Sequence, residues 1–173
     1  MSASSIFSQK LADLDKSPMD MAYYPNNFAH DRKKGEKPVI RVIYSRPATN
    51  GRQIFGKLIP FGKVWRAGAN ENTESKFYQD VELGGQRVKA GTYSLFAIPA
   101  EKDWTIILNS DLDYWGAYSY NEKNDVARVK GTLNQSDTTI ENFTIQFENN
   151  GTQQGVMKLG WDKSIATIPM KLL

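Results

Sequence analysis

From Pro38 to the C-terminus, apolar residues recur at every second position in short runs broken by Gly, Pro and Asn, and no long stretch repeats with the period of a helix. Successive side chains of a strand point to opposite faces, whereas one helix face collects positions three and four apart. This spacing restricts most of the chain to strands. Ile40, Val42, Tyr44 and Arg46 share one face, and Val39, Arg41, Ile43 and Ser45 share the other, until Pro47 and Asn50-Gly51 end the run. A second run, Ser75 to Leu83, meets Gly84-Gly85 and is followed by Gln86 to Lys89, a turn at Ala90-Gly91, and a strand over Thr92 to Ile98. Trp104 to Leu108 should pack beside it. Phe143, Ile145 and Phe147 alternate with Thr144, Gln146 and Glu148, as in a half-buried strand. Asn149-Asn150-Gly151-Thr152 then reads as a hairpin turn, because Asn-Gly tolerates positive φ. Met157, Leu159 and Trp161 form the returning strand, and Asp162-Lys163 turns into a last one ending at Leu172. The expected fold is all-β, an antiparallel β-sandwich or flattened barrel of about eight to ten strands.

Ahead of these strands, Ser4 and Ser5 can cap a short amphipathic helix with Phe7, Lys10, Leu11 and Leu14 at helical spacing, stopped by Ser17-Pro18. At about ten residues it would need to dock on the domain or on a second copy to persist. The expected organisation is an N-terminal extension over residues 1–37 and a β-domain over residues 38–173. Asp31-Arg32-Lys33-Lys34-Gly35-Glu36-Lys37 carries both signs of charge and reads as a solvated connector.

Composition removes several chemistries. With no Cys there is no disulfide framework, thiolate ligation or cysteine catalysis, and a single His leaves no multi-histidine metal centre. His30 sits among polar residues, so a solvent-exposed place is expected for it. A net charge of +3 with interleaved signs gives no footprint of a nucleic-acid binder, and no apolar run is long enough for a membrane-spanning helix. No cofactor is called for. Ile6-Phe7 is interrupted at once by Ser8-Gln9-Lys10, which is no leader peptide, so a cytoplasmic place is expected, or a periplasmic or secreted one if a leader has been removed.

The richest polar cluster lies between Tyr44 and Thr73, where Arg46, Arg52, Trp65, Arg66, Asn70, Glu71 and Thr73 fall in loops between apolar strands. Arg46 ends an inward face, so its guanidinium needs a carboxylate, carbonyls or a bound anion. One reading makes these residues ties between neighbouring loops. The other makes them a cleft for a small anionic or sugar-like ligand, with Trp65 or Trp115 as its wall. Trp115 belongs to the stretch from Asp111 to Asp125, which also holds Tyr114, Tyr118 and Tyr120 and reads as a long packed loop. For acid-base catalysis the candidates are Glu71, Glu74, Asp111 and Asp113, because a glycosidase needs two carboxylates across a bond.

Leu14-Asp15-Lys16-Ser17-Pro18-Met19-Asp20-Met21-Ala22-Tyr23-Tyr24-Pro25, Tyr44-Ser45-Arg46-Pro47, Gly51-Arg52, Ile54-Phe55-Gly56 and Gly62-Lys63-Val64-Trp65-Arg66 to Asn70 resemble, in this order, a bacterial family of uncharacterised proteins, domain of unknown function 2911. Ala90-Gly91-Thr92-Tyr93, Ile98-Pro99, Trp104-Thr105-Ile106-Ile107-Leu108-Asn109 and Trp115-Gly116 continue the likeness. The resemblance implies no activity, cofactor or catalytic residue. Many similar proteins look secreted or periplasmic and begin with a leader, from which this polar N-terminus departs. The likeness also implies that the stretch from Met19 to Pro25 belongs to the fold, with Tyr23 and Tyr24 packed on the sheet.

Taken together, the residues favour a non-enzymatic small-ligand binding or interaction domain, with Arg46, Arg52, Arg66, Asn70 and the loop around Trp115 as its site. The alternatives are a hydrolase or lyase using paired carboxylates, and a structural module forming a homodimer through the N-terminal helix or a sheet edge.

Overall fold

The computed structural model describes residues 11–173. Nine strands, β1 (Met19–Tyr24), β2 (Ile40–Ser45), β3 (Thr73–Phe77), β4 (Val81–Leu83), β5 (Gln86–Val88), β6 (Gly91–Ile98), β7 (Asp103–Asn109), β8 (Asp125–Asn149) and β9 (Gln154–Leu172), form one antiparallel sheet in the order β1-β2-β3-β6-β7-β8-β9-β4-β5. The sheet is not closed into a barrel, and the fold is all-β, as the alternation predicts. A four-residue helix, α1 (Phe28–Asp31), leads away from β1 and carries the exposed His30. The connector that follows it is exposed from Asp31 to Lys37. Among the described residues no helix is long and apolar enough to cross a membrane.

The core lies where the sheet bends back over itself. Ile40, Val42 and Tyr44 of β2 point inward, and the β8–β9 hairpin covers them with Phe143, Ile145, Phe147, Met157, Leu159 and Trp161. Tyr44 meets the Phe143 ring edge-on at 5.7 Å, and Tyr24 lies 6.0 Å from Phe147. The segment between β2 and β3 is anchored by apolar plugs: Ile54, Phe55, Trp65 and Ala67 are all buried. Trp65 exchanges backbone hydrogen bonds with Ala97 of β6, both 2.8 Å. Polar loops therefore hang from a framework that the core holds in place.

Several sequence expectations need correction. The run from Ser75 to Leu83 is two strands, β3 and β4, separated at Tyr78–Asp80, and they lie far apart in the sheet order. No turn interrupts β9 at Asp162, which adopts a φ of 55° inside a continuous strand. The register of β8 against β9 shifts between Gln135 and Ile140 and again between Ile140 and Thr144, so both long strands bend by bulges rather than ending. The first half of β8 carries little apolar alternation and passes unnoticed in the sequence. The expected extension over residues 1–37 supplies β1, whose Tyr24 is buried and donates its hydroxyl to Gln154 O at 3.0 Å, while Tyr23 is half-buried and pairs with Phe28. Most of the N-terminal helix expected from Ser4 onward lies outside the described residues, and residues 11–15 are irregular, with Leu11 and Leu14 exposed.

Leu83 pairs with Gln86, so Gly84-Gly85 is a two-residue hairpin with φ values of 55° and 83°. A Cβ at Gly84 would lie 2.7 Å from Val129 Cβ, whereas one at Gly85 would meet nothing within 4 Å. Gly84→Ala should cost about 2–3 kcal/mol from backbone strain and overpacking, and Gly85→Ala about 1 kcal/mol from strain alone. Urea titration of both variants checks this; equal losses would show that Val129 yields freely.

Candidate functional site

The outer face of the sheet carries Met21, Ile43 and Glu74 side by side, because Met21 pairs with Ile43 and Ile43 with Glu74 across three antiparallel strands. Met19 and Ser45 form the next row. The loop from Ser110 to Asn121 folds back over this face and encloses a cleft of about 390 Å³. Ile43, Ser45 and Met19 form its floor and edge, Glu71 and Glu74 one flank, and Leu112, Asp113, Tyr114 and Trp115 the overhang.

Asn72 holds the overhang in place. Its backbone N–H donates to Tyr114 O at 2.9 Å, its side-chain oxygen accepts from Tyr114 N at 2.7 Å, and its Nδ2 donates to Ser94 Oγ at 2.6 Å. Ser94 Oγ in turn donates to Asp111 O. Glu71 and Trp115 face each other as a β-bridge, and Gly116 N donates to Asn70 O at 2.9 Å. Tyr120 uses the other side of the same loop: its ring packs 5.1 Å from the buried Phe96, and its hydroxyl donates to Asp125 at 2.6 Å. That side covers the sheet. Trp115 and Tyr118 do not, being 61% and 87% exposed.

The structure scatters the sequence-predicted arginines. Arg46 donates from Nη1 to Asp20 at 2.7 Å, from Nε to Phe143 O at 3.0 Å and from Nη2 to Thr144 Oγ1 at 2.8 Å. It answers the inward guanidinium's need with partners from β1 and β8. Arg52 donates to the carbonyls of Thr49 and Ala48, both at 2.8 Å, within its own turn. Trp65 is in the core and donates Nε1 to Gly68 O at 3.0 Å, and Thr73 donates its hydroxyl to Ala67 O at 2.6 Å. Arg66 is half-buried beside Gly116, and Asn70 donates its amide to Asp15 at 3.0 Å. Of the eight residues taken from sequence, Glu71 and Trp115 line the cleft. Met19, Ile43, Asn72 and Leu112 were not singled out; no local pattern marks them, since strand pairing and loop return bring them together.

Charge in the cleft is one-sided. Glu71, Glu74 and Asp113 line it, and among the described residues no Lys, Arg or His does. Glu74 faces Arg41 at 3.5 Å, whereas the carboxylates of Glu71 and Asp113 make no hydrogen bond or ion pair among the described residues. Asp111, the fourth candidate acid, lies behind the overhang and accepts from Asn124 Nδ2. Its carboxylate, beside the Tyr114 hydroxyl, raises that phenol above its ordinary value. Among the described residues no three His, Cys, Asp or Glu side chains come together closely enough to hold a metal ion.

A family model described as a protein of unknown function, DUF2911, matches residues 25–170. The chain belongs to this family. No curated protein and no solved structure matches it. The family match spans β2 to β9 and takes in every residue lining the cleft except Met19, which precedes it on β1.

Proposed function

We propose that this DUF2911 chain is a non-enzymatic binding domain whose cleft takes a small, neutral, polyhydroxylated ligand of the sugar class. The observation that carries the reading is Trp115, 61% exposed at the cleft mouth and bridged to Glu71. An exposed indole gives an apolar face for the C–H side of a sugar ring, and burying it on binding returns the free energy that its exposure forfeits. The carboxylates of Glu71 and Asp113, unpaired among the described residues, accept hydrogen bonds from hydroxyls at the rim of the same ring. With three carboxylates in the lining, of which only Glu74 faces an arginine, and no cation lining it among the described residues, the cleft disfavours an anionic ligand. The volume of about 390 Å³ falls in the range of roughly 300–1,000 Å³ typical of small-ligand sites and suits one or two sugar rings.

Titration calorimetry with a panel of neutral mono- and disaccharides tests this on the wild type, Trp115→Ala and Glu71→Gln. A sugar that binds the wild type should bind Trp115→Ala at least tenfold more weakly, about 1.4 kcal/mol. The melting temperature of the free variant should move little, because the ring is mostly in solvent. A panel with no binder, or one whose binding ignores Trp115, overturns the reading.

One observation favours a second reading: Glu71, Glu74 and Asp113, three of the four candidate acids, share the cleft. Carboxylates placed about 5–10 Å apart across a glycosidic bond would hydrolyse it. Release of the aryl group from aryl glycosides by the wild type, abolished in Glu71→Gln, would establish that reading over simple binding.

A further inference from the structure

Arg66 differs from the other arginines of its cluster. Arg46 and Arg52 place their guanidinium groups on internal carbonyls, a hydroxyl and a carboxylate. Arg66 Nε is shielded from solvent and has no acceptor, and no carboxylate pairs with its guanidinium among the described residues. Asp15, which reaches this loop through Asn70, is engaged by Asn70 Nδ2 and by Ser17 N at 2.7 Å.

A guanidinium stays charged at any physiological pH, and a half-buried charge without a partner is costly. Burial accordingly pulls the Arg66 guanidinium below its ordinary value. Gly116, with a φ of 71°, passes the backbone against the fork without a side chain; a Cβ there would lie 3.4 Å from Arg66 Nη1 and 2.8 Å from the Tyr118 ring. Tyr118 thus flanks the same point and is 87% exposed.

We infer that Arg66, with Tyr118 at its rim, is a binding site for a small oxyanion, a phosphate or carboxylate group whose paired oxygens match the planar fork of the guanidinium. Arg66 does not line the acidic cleft, so this site stands whether or not a sugar binds there. The bound ion supplies the acceptor that Nε lacks. Chloride, a single sphere, cannot make the paired contact.

The test is NMR of the 15N-arginine-labelled full chain, following the Arg66 Nε–H signal, assigned by its loss in Arg66→Lys or by triple-resonance methods. Sodium phosphate, acetate and chloride are titrated separately at constant ionic strength. Phosphate or acetate, whichever is the matching chemistry, should shift this signal saturably and leave the Arg52 Nε–H signal in place. Calorimetry should show binding of that ion weakened at least tenfold in Arg66→Gln and retained in Arg52→Gln. A signal that neither oxyanion moves, a shift equal in all three salts, or full binding in a folded Arg66→Gln variant overturns the inference.

Discussion

Trp161→Ala should lower the free energy of unfolding by about 3–5 kcal/mol, the range for removing a large buried aromatic. Trp161 is 2% exposed and stacks on Trp65 at 5.8 Å with 19° between the planes. It also meets the rings of Phe55 and Phe143, each at 6.2 Å, and donates Nε1 to Glu141 O at 3.2 Å. Alanine therefore leaves a cavity at the centre of the aromatic cluster, while Glu141 O keeps its bond from Thr49 N at 2.8 Å. Since Trp65 holds the β2–β3 segment and Trp161 belongs to β9, the loss falls on the contact between the two halves of the sheet. For a domain of this size each kcal/mol moves the midpoint by about 2–4 °C, so a fall of roughly 6–20 °C is expected. Urea unfolding followed by far-UV circular dichroism measures it, with Trp161→Phe losing markedly less. A loss under about 1 kcal/mol would mean that the two halves are held together elsewhere.

Arg46→Ala should cost about 2–3 kcal/mol, although its side chain is 33% exposed. Its weight comes from three diverging bonds that join the end of β2 to Asp20 on β1 and to Phe143 O and Thr144 on β8. Without the guanidinium the edge carbonyl of Phe143 loses a charged donor, and β1 loses its ion pair. The pair with Asp20 is the smaller part, because solvent screens it; Asp20→Asn should cost less than about 1 kcal/mol. Lysine cannot reproduce the fork, so Arg46→Lys should recover no more than about half of the loss. Chemical denaturation of the three variants checks the order Ala, Lys, Asn from most to least destabilised. If Asp20→Asn matched Arg46→Ala, the ion pair rather than the two β8 contacts would hold this corner.

The two arginine environments show where reading the chain reached its limit. Arg46 and Arg66 occupy similar polar stretches after apolar runs, and from sequence both read as loop ties or as ligand contacts, with a partner required for Arg46 alone. Phe143 O, one of the partners of Arg46, is 97 positions away. No local pattern says that one guanidinium meets β8 while the Nε of the other has no acceptor among the described residues. The aromatic loop divides in the same way: Tyr120 covers Phe96, and Trp115 stands in solvent at the cleft.

Strand identity, the Asn-Gly hairpin and the exposed His30 were legible because each depends on side-chain alternation, on the φ that a residue tolerates, or on its immediate neighbours. Those are properties of a few adjacent residues. The first half of β8 and the continuity of β9 were not legible, because bulges and pairing with neighbouring strands, rather than apolar alternation, keep those stretches extended. The cleft is the extreme case. Met19, Ile43, Glu74 and Trp115 meet only because antiparallel register sets three strands side by side and Asn72 fastens a distant loop above them. Sequence by itself determined the all-β class and the inward faces of the alternating strands, through short-range sterics and hydrophobic patterning; where the long strands run on, which polar groups are satisfied, and which are left facing a cleft, was decided by contacts that exist only once the sheet has folded over its core.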